Sequence, residues 1–243
     1  MAFGAFFKPG PLAVFFSAAA LMSLFLAGTK KNLSLVYIAL MVVFFVCTII
    51  TQSRSGLLMF ASGAIAYLLL ERSQKSLLIF LVVTALCTLS LATIYFYNPD
   101  PILDLWERKD AQRFLIYQNG FSMITESPLT TVIGHGLAID KLIPYSSHFE
   151  THIHMLYMNI VFQTGLIGLL LFLFAVGWRF YNIIFKRTPY NSWDIILIGM
   201  LVAFLFDGNK FYVYPGGTMA AFLLPLFITN LVPERIMADK VKF

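Results

Sequence analysis

Charge is what this 243-residue chain has least of: charged side chains make up 12% of it, against the ~25% of an ordinary soluble domain. Only two residues are cysteine. Cys47 and Cys87 both lie inside apolar runs, with no Cys or His at zinc-finger spacing, so neither a disulfide framework nor a zinc site is expected. Internal repeats and low-complexity tracts are missing as well, and the composition excludes disorder and collagen.

Present instead are long apolar runs. Hydrophobic residues reach 59% and the mean hydropathy is +0.81. A small folded chain leaves much of its surface exposed, so this much apolar side chain belongs in lipid. A window of membrane-helix length predicts seven spans, at about 11–28, 33–51, 56–70, 76–97, 155–178, 193–207 and 217–232. The criterion is that ~18–20 helical residues cross a ~30 Å hydrocarbon core. Strict polar–apolar alternation is absent, which argues for helices rather than barrel strands. The expected fold is all-α, a single polytopic membrane helix bundle over residues 1–243 with about seven transmembrane helices.

Lysine and arginine orient the bundle. Lys30, Lys31, Arg72, Lys75, Lys186, Arg187, Arg235, Lys240 and Lys242 fall in alternate connections, and the positive-inside rule makes that side cytoplasmic. The opposite short segments hold only Lys8, Arg54 and Lys210. The net charge of +5 is therefore a topology signal, and the expected partner is the bilayer, not nucleic acid. This orientation puts Met1 outside, from which further helices upstream are expected.

The one long connection runs from about 98 to 151, between the fourth and fifth spans, and faces outward. Within it, 104–124 reads as an amphipathic helix carrying Leu105, Trp106, Phe114, Ile116, Tyr117 and Phe121. Pro128 and the Gly134-His135-Gly136 turn break it.

No ionisable residue stands near the middle of any span, which disfavours an ion-coupled transporter. The last span also lacks the lysine that a retinal Schiff base needs. Arg54, Arg113, the four histidines, Asp207 and Lys210 gather instead at the outer ends. That asymmetry points to a reaction at the outer membrane–water boundary.

Three constellations carry the chemistry. In the first, Ser53 or Ser55 can cap the third helix, and a helix N-terminus attracts anions. Arg54 adds a bidentate fork that suits phosphate oxygens; its plainer role is to snorkel toward lipid headgroups. The second is the histidine set: His152 and His154 where the long loop enters the fifth span, with His135 and His148 before them. No carboxylate stands beside them at a metal-binding spacing, and a neutral imidazole with a pKa near ~6.5 suits a general base. Nothing in the spacing ties His135 or His148 to the helix mouth. The third is Gly165-Leu166-Ile167-Gly168 inside the fifth span, read as a small-residue helix contact. Asn159 and Gln163, spaced i,i+4, form an inward polar stripe that extends back to His152 if the helix begins that early.

These motifs carry a resemblance. His154-Met155, nine residues, then Gly165-Leu166-Ile167-Gly168 resembles the His-Asn/Ser/Gln-x9-Gly-x-x-Gly signature of the O-antigen ligase family, whose superfamily also holds O-antigen polymerases and protein O-oligosaccharyltransferases. Ser53-Arg54-Ser55-Gly56-Leu57-Leu58 looks like its Arg-x3-Leu element. Arg113 to Tyr117, then Glu126-Ser127-Pro128 and Gly134-His135-Gly136, is similar to its periplasmic stretch. Met155 replaces the usual polar residue, and Tyr117 stands where the family often has Trp.

The resemblance implies an inverting, metal-independent glycosyl transfer without a cofactor, on the periplasmic face of a bacterial inner membrane. The donor is then a glycan on undecaprenyl diphosphate and the acceptor a hydroxyl of lipid A-core or another glycan. In that reading His154 is the base, with His152 as the alternative, and Arg54 and Arg113 bind the diphosphate. Ser53, Ser55, Gly134, Gly136, Asp207 and Lys210 support them. An O-antigen polymerase, with a second lipid-linked glycan as acceptor, is the nearest alternative. A non-catalytic scaffold or a glycan-lipid transporter lies further away, because arginine and histidine concentrate on the outer side.

Overall fold

Apolar runs of 15–24 residues cannot leave their peptide groups unpaired in lipid, so they close their hydrogen bonds internally as helices. The computed structural model describes residues 9–71, 74–97, 111–136, 143–145, 148–150, 153, 155–186, 188–205 and 228. Among these, the first six predicted runs are helical. They form α1 (Pro9–Thr29), α2 (Ser34–Ile50), α3 (Arg54–Glu71) and α4 (Gln74–Tyr97). Then follow α5 (Ala111–Ile124), α6 (Pro128–Ile133), α7 (Leu156–Ile184) and α8 (Ser192–Ala203). The run at 217–232 lies outside the described residues except for Ile228. Three described helices are long and apolar enough to cross a membrane, within α1, α3 and α7, while α2 and α8 are apolar but shorter.

The all-α expectation misses one feature. Ile143–Tyr145 (β1) and His148–Glu150 (β2) pair as antiparallel strands, with Ile143 opposite Glu150 and Tyr145 opposite His148. Three-residue strands are too short to leave a period-two pattern in an apolar sequence.

The chain divides into two compact units, Met1–Arg108 with Tyr190–Ala203, and Lys109–Pro189 with Phe204–Phe243. In the first, α1 packs against α2, α3 and α8. Helices in lipid gain little hydrophobic energy from one another, so close approach of small residues has to hold them together. Ala13, Ser17, Ala20 and Ala27 supply it on the buried face of α1. A Cβ on Gly63 would meet Leu21 at 2.5 Å, and one on Gly199 would meet the Met59 carbonyl at 2.5 Å. α8 opens with a reciprocal cap: the Asn191 side chain accepts from the Trp193 and Asp194 amides, and buried Asp194 accepts from the Asn191 amide at 2.8 Å. Just before it, the Tyr190 hydroxyl donates to Glu71. Burial, reinforced by that carboxylate, pushes the Tyr190 pKa up.

The second unit is built on Ile116, Ile124, Ile143, Ile153 and Phe162. Ile116, Gly120 and Ile124 form the inner face of α5, and Gly120 lets Ile153 seat there, since a Cβ would meet its Cδ1 at 2.6 Å. Ser127 caps α6, accepting from the Thr130 amide while its own amide donates to the Thr130 hydroxyl, both at 3.1 Å. Pro128 therefore starts a helix at N1, besides ending the amphipathic one.

Candidate functional site

The sequence-predicted residues fall in both units, and each group rests on its own local architecture. In the first unit, α2 and α3 join through three residues, Thr51–Ser53, with Gln52 in the left-handed region at φ 52°. Few non-glycine residues adopt that conformation, and surrounding structure has to hold it. The Gln52 amide donates to the Ile49 carbonyl at 2.8 Å and the Thr51 hydroxyl to the Thr48 carbonyl. Below the turn, the buried Ser17 hydroxyl donates to the Gly56 carbonyl at 2.7 Å. Thr48 stands 3.4 Å from the same hydroxyl. A Cβ on Gly56 would meet Ala13 at 2.7 Å, so α1 and α3 touch at the base of the turn.

This fixed turn presents Arg54, half-buried, as the first residue of α3. The first-turn amides of a helix have no partners within it, which makes the position receptive to anions. The Ser53 and Ser55 hydroxyls lie 2.9 Å apart in one hydrogen bond. The reading of this segment as a helix start therefore agrees with the structure.

In the second unit Arg113 is half-buried in the first turn of α5. On the same helix Phe114 and Phe121, spaced i,i+7, are both exposed, while Ile116 is buried. Residues 98–110, with Leu105 and Trp106, lie outside the described residues.

The Gly134-His135-Gly136 turn and Gly165 turn out to be parts of one joint. α7 is interrupted at Gly165, whose backbone has φ 68° and ψ −170°. Gly134, which ends α6, has nearly the same angles, φ 74° and ψ −173°. This region of backbone space belongs almost wholly to glycine. A Cβ on Gly165 would run into the Val132 carbonyl, and one on Gly134 would run into the Gln163 backbone. The two segments are thus in mutual backbone contact, and the His135 amide donates to the Phe162 carbonyl at 2.8 Å. The Gly136 amide donates to the Gln163 carbonyl at 2.9 Å. In an unbroken helix these carbonyls would take the amides four residues on; here the turn takes them.

This corrects two sequence readings. Among the described residues, Gly165-x-x-Gly168 makes no small-residue contact between two membrane helices. Gly165 makes a bend that receives the α6 turn, and Gly168 leaves room for the Thr164 hydroxyl, which donates to Ile160 at 2.8 Å. The second correction concerns His152. Asn159 and Gln163 are buried as expected of an inward stripe. However, α7 begins only at Leu156, behind an extended Met155 at φ −137° and ψ 118°. Helical periodicity cannot be carried back through a non-helical residue, so the stripe lends no support to His152.

His152, His154, Asp207 and Lys210 lie outside the described residues. Ile153, between the two histidines, is fully buried against Gly120. His148 sits in β2 opposite Tyr145. His135, half-buried, has its Nε2 3.0 Å from the Met123 carbonyl and its ring 4.7 Å from that of Phe162. Among the described residues no three of His, Cys, Asp and Glu gather as metal ligands.

Three features go beyond the sequence analysis: Ser127 as a helix cap, Gln163 as a bend residue, and Arg179. Arg179 is buried in α7 and donates to the Pro189 carbonyl at 3.3 Å. The Ser127-Pro128-x-Thr130 spacing was the signal for the first; the other two depend on contacts that no spacing reveals.

A protein-family model described as O-antigen ligase (Wzy_C) matches residues 39–173, more than half of the chain. No curated protein and no solved structure matches it. The matched stretch runs from α2 into α7 and contains the Arg54 turn, Arg113, the glycine joint, His152 and His154. Asp207 and Lys210 fall beyond it.

Proposed function

The chain belongs to the O-antigen ligase family, and on that premise we propose that it transfers a glycan from undecaprenyl diphosphate to a sugar hydroxyl of lipid A-core. In this reading seven helices cross a bacterial inner membrane, and the 98–151 connection and the reaction face the periplasm. The acceptor oxygen attacks the anomeric carbon from the side opposite the diphosphate. His154 takes the hydroxyl proton as the new C–O bond forms. The bond to the diphosphate breaks with its electron pair, and the charge grows on phosphate oxygens, whose binding this reading assigns to Arg54 and Arg113. Ser53 and Ser55 brace Arg54, Gly134 and Gly136 hold the loop, and Asp207 and Lys210 lie at the outer end of the sixth run.

The observation that carries this reading is Arg54. Arg54 is the first residue of α3, on a turn held by Ser17, Thr48 and Gly56, and an arginine fork and the first helix amides favour the same ligand, a phosphate group. Prepositioned positive charge of this kind stabilises a leaving diphosphate without rearrangement during the reaction. Exposed Phe114 and Phe121 add two apolar platforms for sugar faces, ~10 Å apart along α5.

The test is the fate of the lipid carrier in cells that lack the protein. Long polymer accumulating on the carrier supports ligation; single repeat units identify a polymerase; an unchanged carrier pool sinks both. In the same cells Arg54→Lys should restore transfer poorly, since an ammonium keeps the charge and loses the fork. Full restoration by Arg54→Lys would remove the need for the fork, and full restoration by Arg54→Ala would remove the anion-binding role.

A further inference from the structure

We propose that His135 is a positioning residue that bolts α5, the helix carrying Arg113, to α7, the helix that follows His154 in the sequence. The proposal rests on the glycan-transfer reading, and its geometry lies within the second unit. The carbonyls that end α5 have no partners inside the helix, and donors from the following segment take them up. The Thr130 and Thr131 hydroxyls donate to the Ile124 carbonyl at 3.2 and 3.0 Å, and the His135 ring reaches the Met123 carbonyl at 3.0 Å. A carbonyl can only accept, so Nε2 of His135 carries the proton in this bond. An imidazole nitrogen that donates to a carbonyl cannot at the same time withdraw a proton from a sugar hydroxyl.

The same residue holds α7. Its amide donates to Phe162 at 2.8 Å, and its ring rests on the Phe162 ring at 4.7 Å. One side chain and its own peptide group therefore connect the C-terminal end of α5 to the last turn before the bend in α7. Arg113 stands in the first turn of α5, and His154 is two residues before α7 begins. Without the bolt, leaving group and base are no longer held in register. A misplacement of about 1 Å can cost about 100-fold in rate even when its cause is remote. Spacing alone does not tie His135 to the mouth of α7; its contacts with Met123 and Phe162 do.

The full chain, in lipid nanodiscs, carries the test in three forms: wild type, His135→Ala and His135→Gln. Glutamine puts an amide N–H near the position of Nε2–H. Three quantities are read: hydrogen exchange at the amides of residues 135, 136 and 156–164, affinity for undecaprenyl diphosphate, and transfer rate against pH with membrane-extracted lipid-linked glycan. His135→Ala should speed exchange at least ten-fold at those amides, leave carrier affinity within about two-fold, and lower transfer 10- to 100-fold. His135→Gln should recover most of both losses with the wild-type pH profile. Unchanged exchange or unchanged transfer per folded molecule in His135→Ala overturns the bolt. A shifted pH profile in a competent His135→Gln overturns it too, because the histidine would then be exchanging protons itself. A wild type that binds the carrier and transfers nothing overturns the underlying reading instead, whatever the exchange data show.

Discussion

The two parts of α7 are one helix by sequence and two by surroundings. Before Gly165, the residues Leu156, Asn159, Ile160, Phe162 and Gln163 are buried, packed with α5, α6 and Ile153. After it, Leu166, Ile167, Leu170, Leu171, Leu173 and Phe174 are exposed, and Phe172, Val176 and Arg179 alone form a buried stripe. The part from Leu166 to Ile184 is ~28 Å long, enough to cross a hydrocarbon core by itself. Its far end carries Phe174, Trp178, Tyr181 and Phe185 in ring contact, with Lys186 5.1 Å above Trp178. Such aromatic and cationic groups mark a membrane boundary. The bend thus separates a part buried in protein from an apolar part exposed as a lipid-facing helix is.

The sharpest way to break this comparison is to remove the proposed base, His154, which precedes the buried part in the sequence. His154→Ala should lower transfer about 10²–10⁴-fold, the usual contribution of a positioned general base, with the fold and carrier affinity kept. His152→Ala should be mild, since an extended Met155 severs it from the buried stripe. Transfer rates of both variants at matched expression decide between them. A dead His152→Ala beside an active His154→Ala would reassign the base.

The next effect is on the bend itself. Gly165→Ala forces a side chain into glycine-only backbone space, at about 1–3 kcal/mol, and drives its Cβ into Val132. Gly134→Ala does the same from the other side, against Gln163. Each change alone breaks the one joint, so the double variant should lose clearly less stability than the two single losses added. Thermal unfolding of the four forms measures this. Additive losses would mean that the two glycines serve separate structures.

How much of this the sequence shows depends on the range of the interaction. Helix runs were legible because each is set by its own apolar residues, and the predicted ends lie close to the observed ones in 56–70 against Arg54–Glu71, while 155–178 stops short of Ile184 in Leu156–Ile184. The Arg54 turn was legible for the same reason, as was the buried pair Asn159 and Gln163. The joint was not. A glycine inside an apolar helix costs only about 1 kcal/mol and reads as a packing contact. What makes Gly165 a bend is Gly134, which is remote in sequence and close only after α6 has folded back. The role of His135 was hidden likewise, because both its partners, Met123 and Phe162, are distant.

The smallest effect tests the exposed part of α7. Gly177 lies there, exposed, and a Cβ at this position meets nothing within 4 Å. It is helical, so alanine adopts its backbone without strain and loses less conformational entropy on folding. Gly177→Ala should therefore stabilise the protein by about 0.5–1 kcal/mol, a rise of about 1–4 °C in unfolding midpoint, with transfer unchanged. Two glycines twelve positions apart in one helix then respond to the same methyl group with opposite signs. A loss of stability at Gly177 would mean that another protein surface covers this face, and the division at Gly165 would no longer be one between a buried and an exposed part.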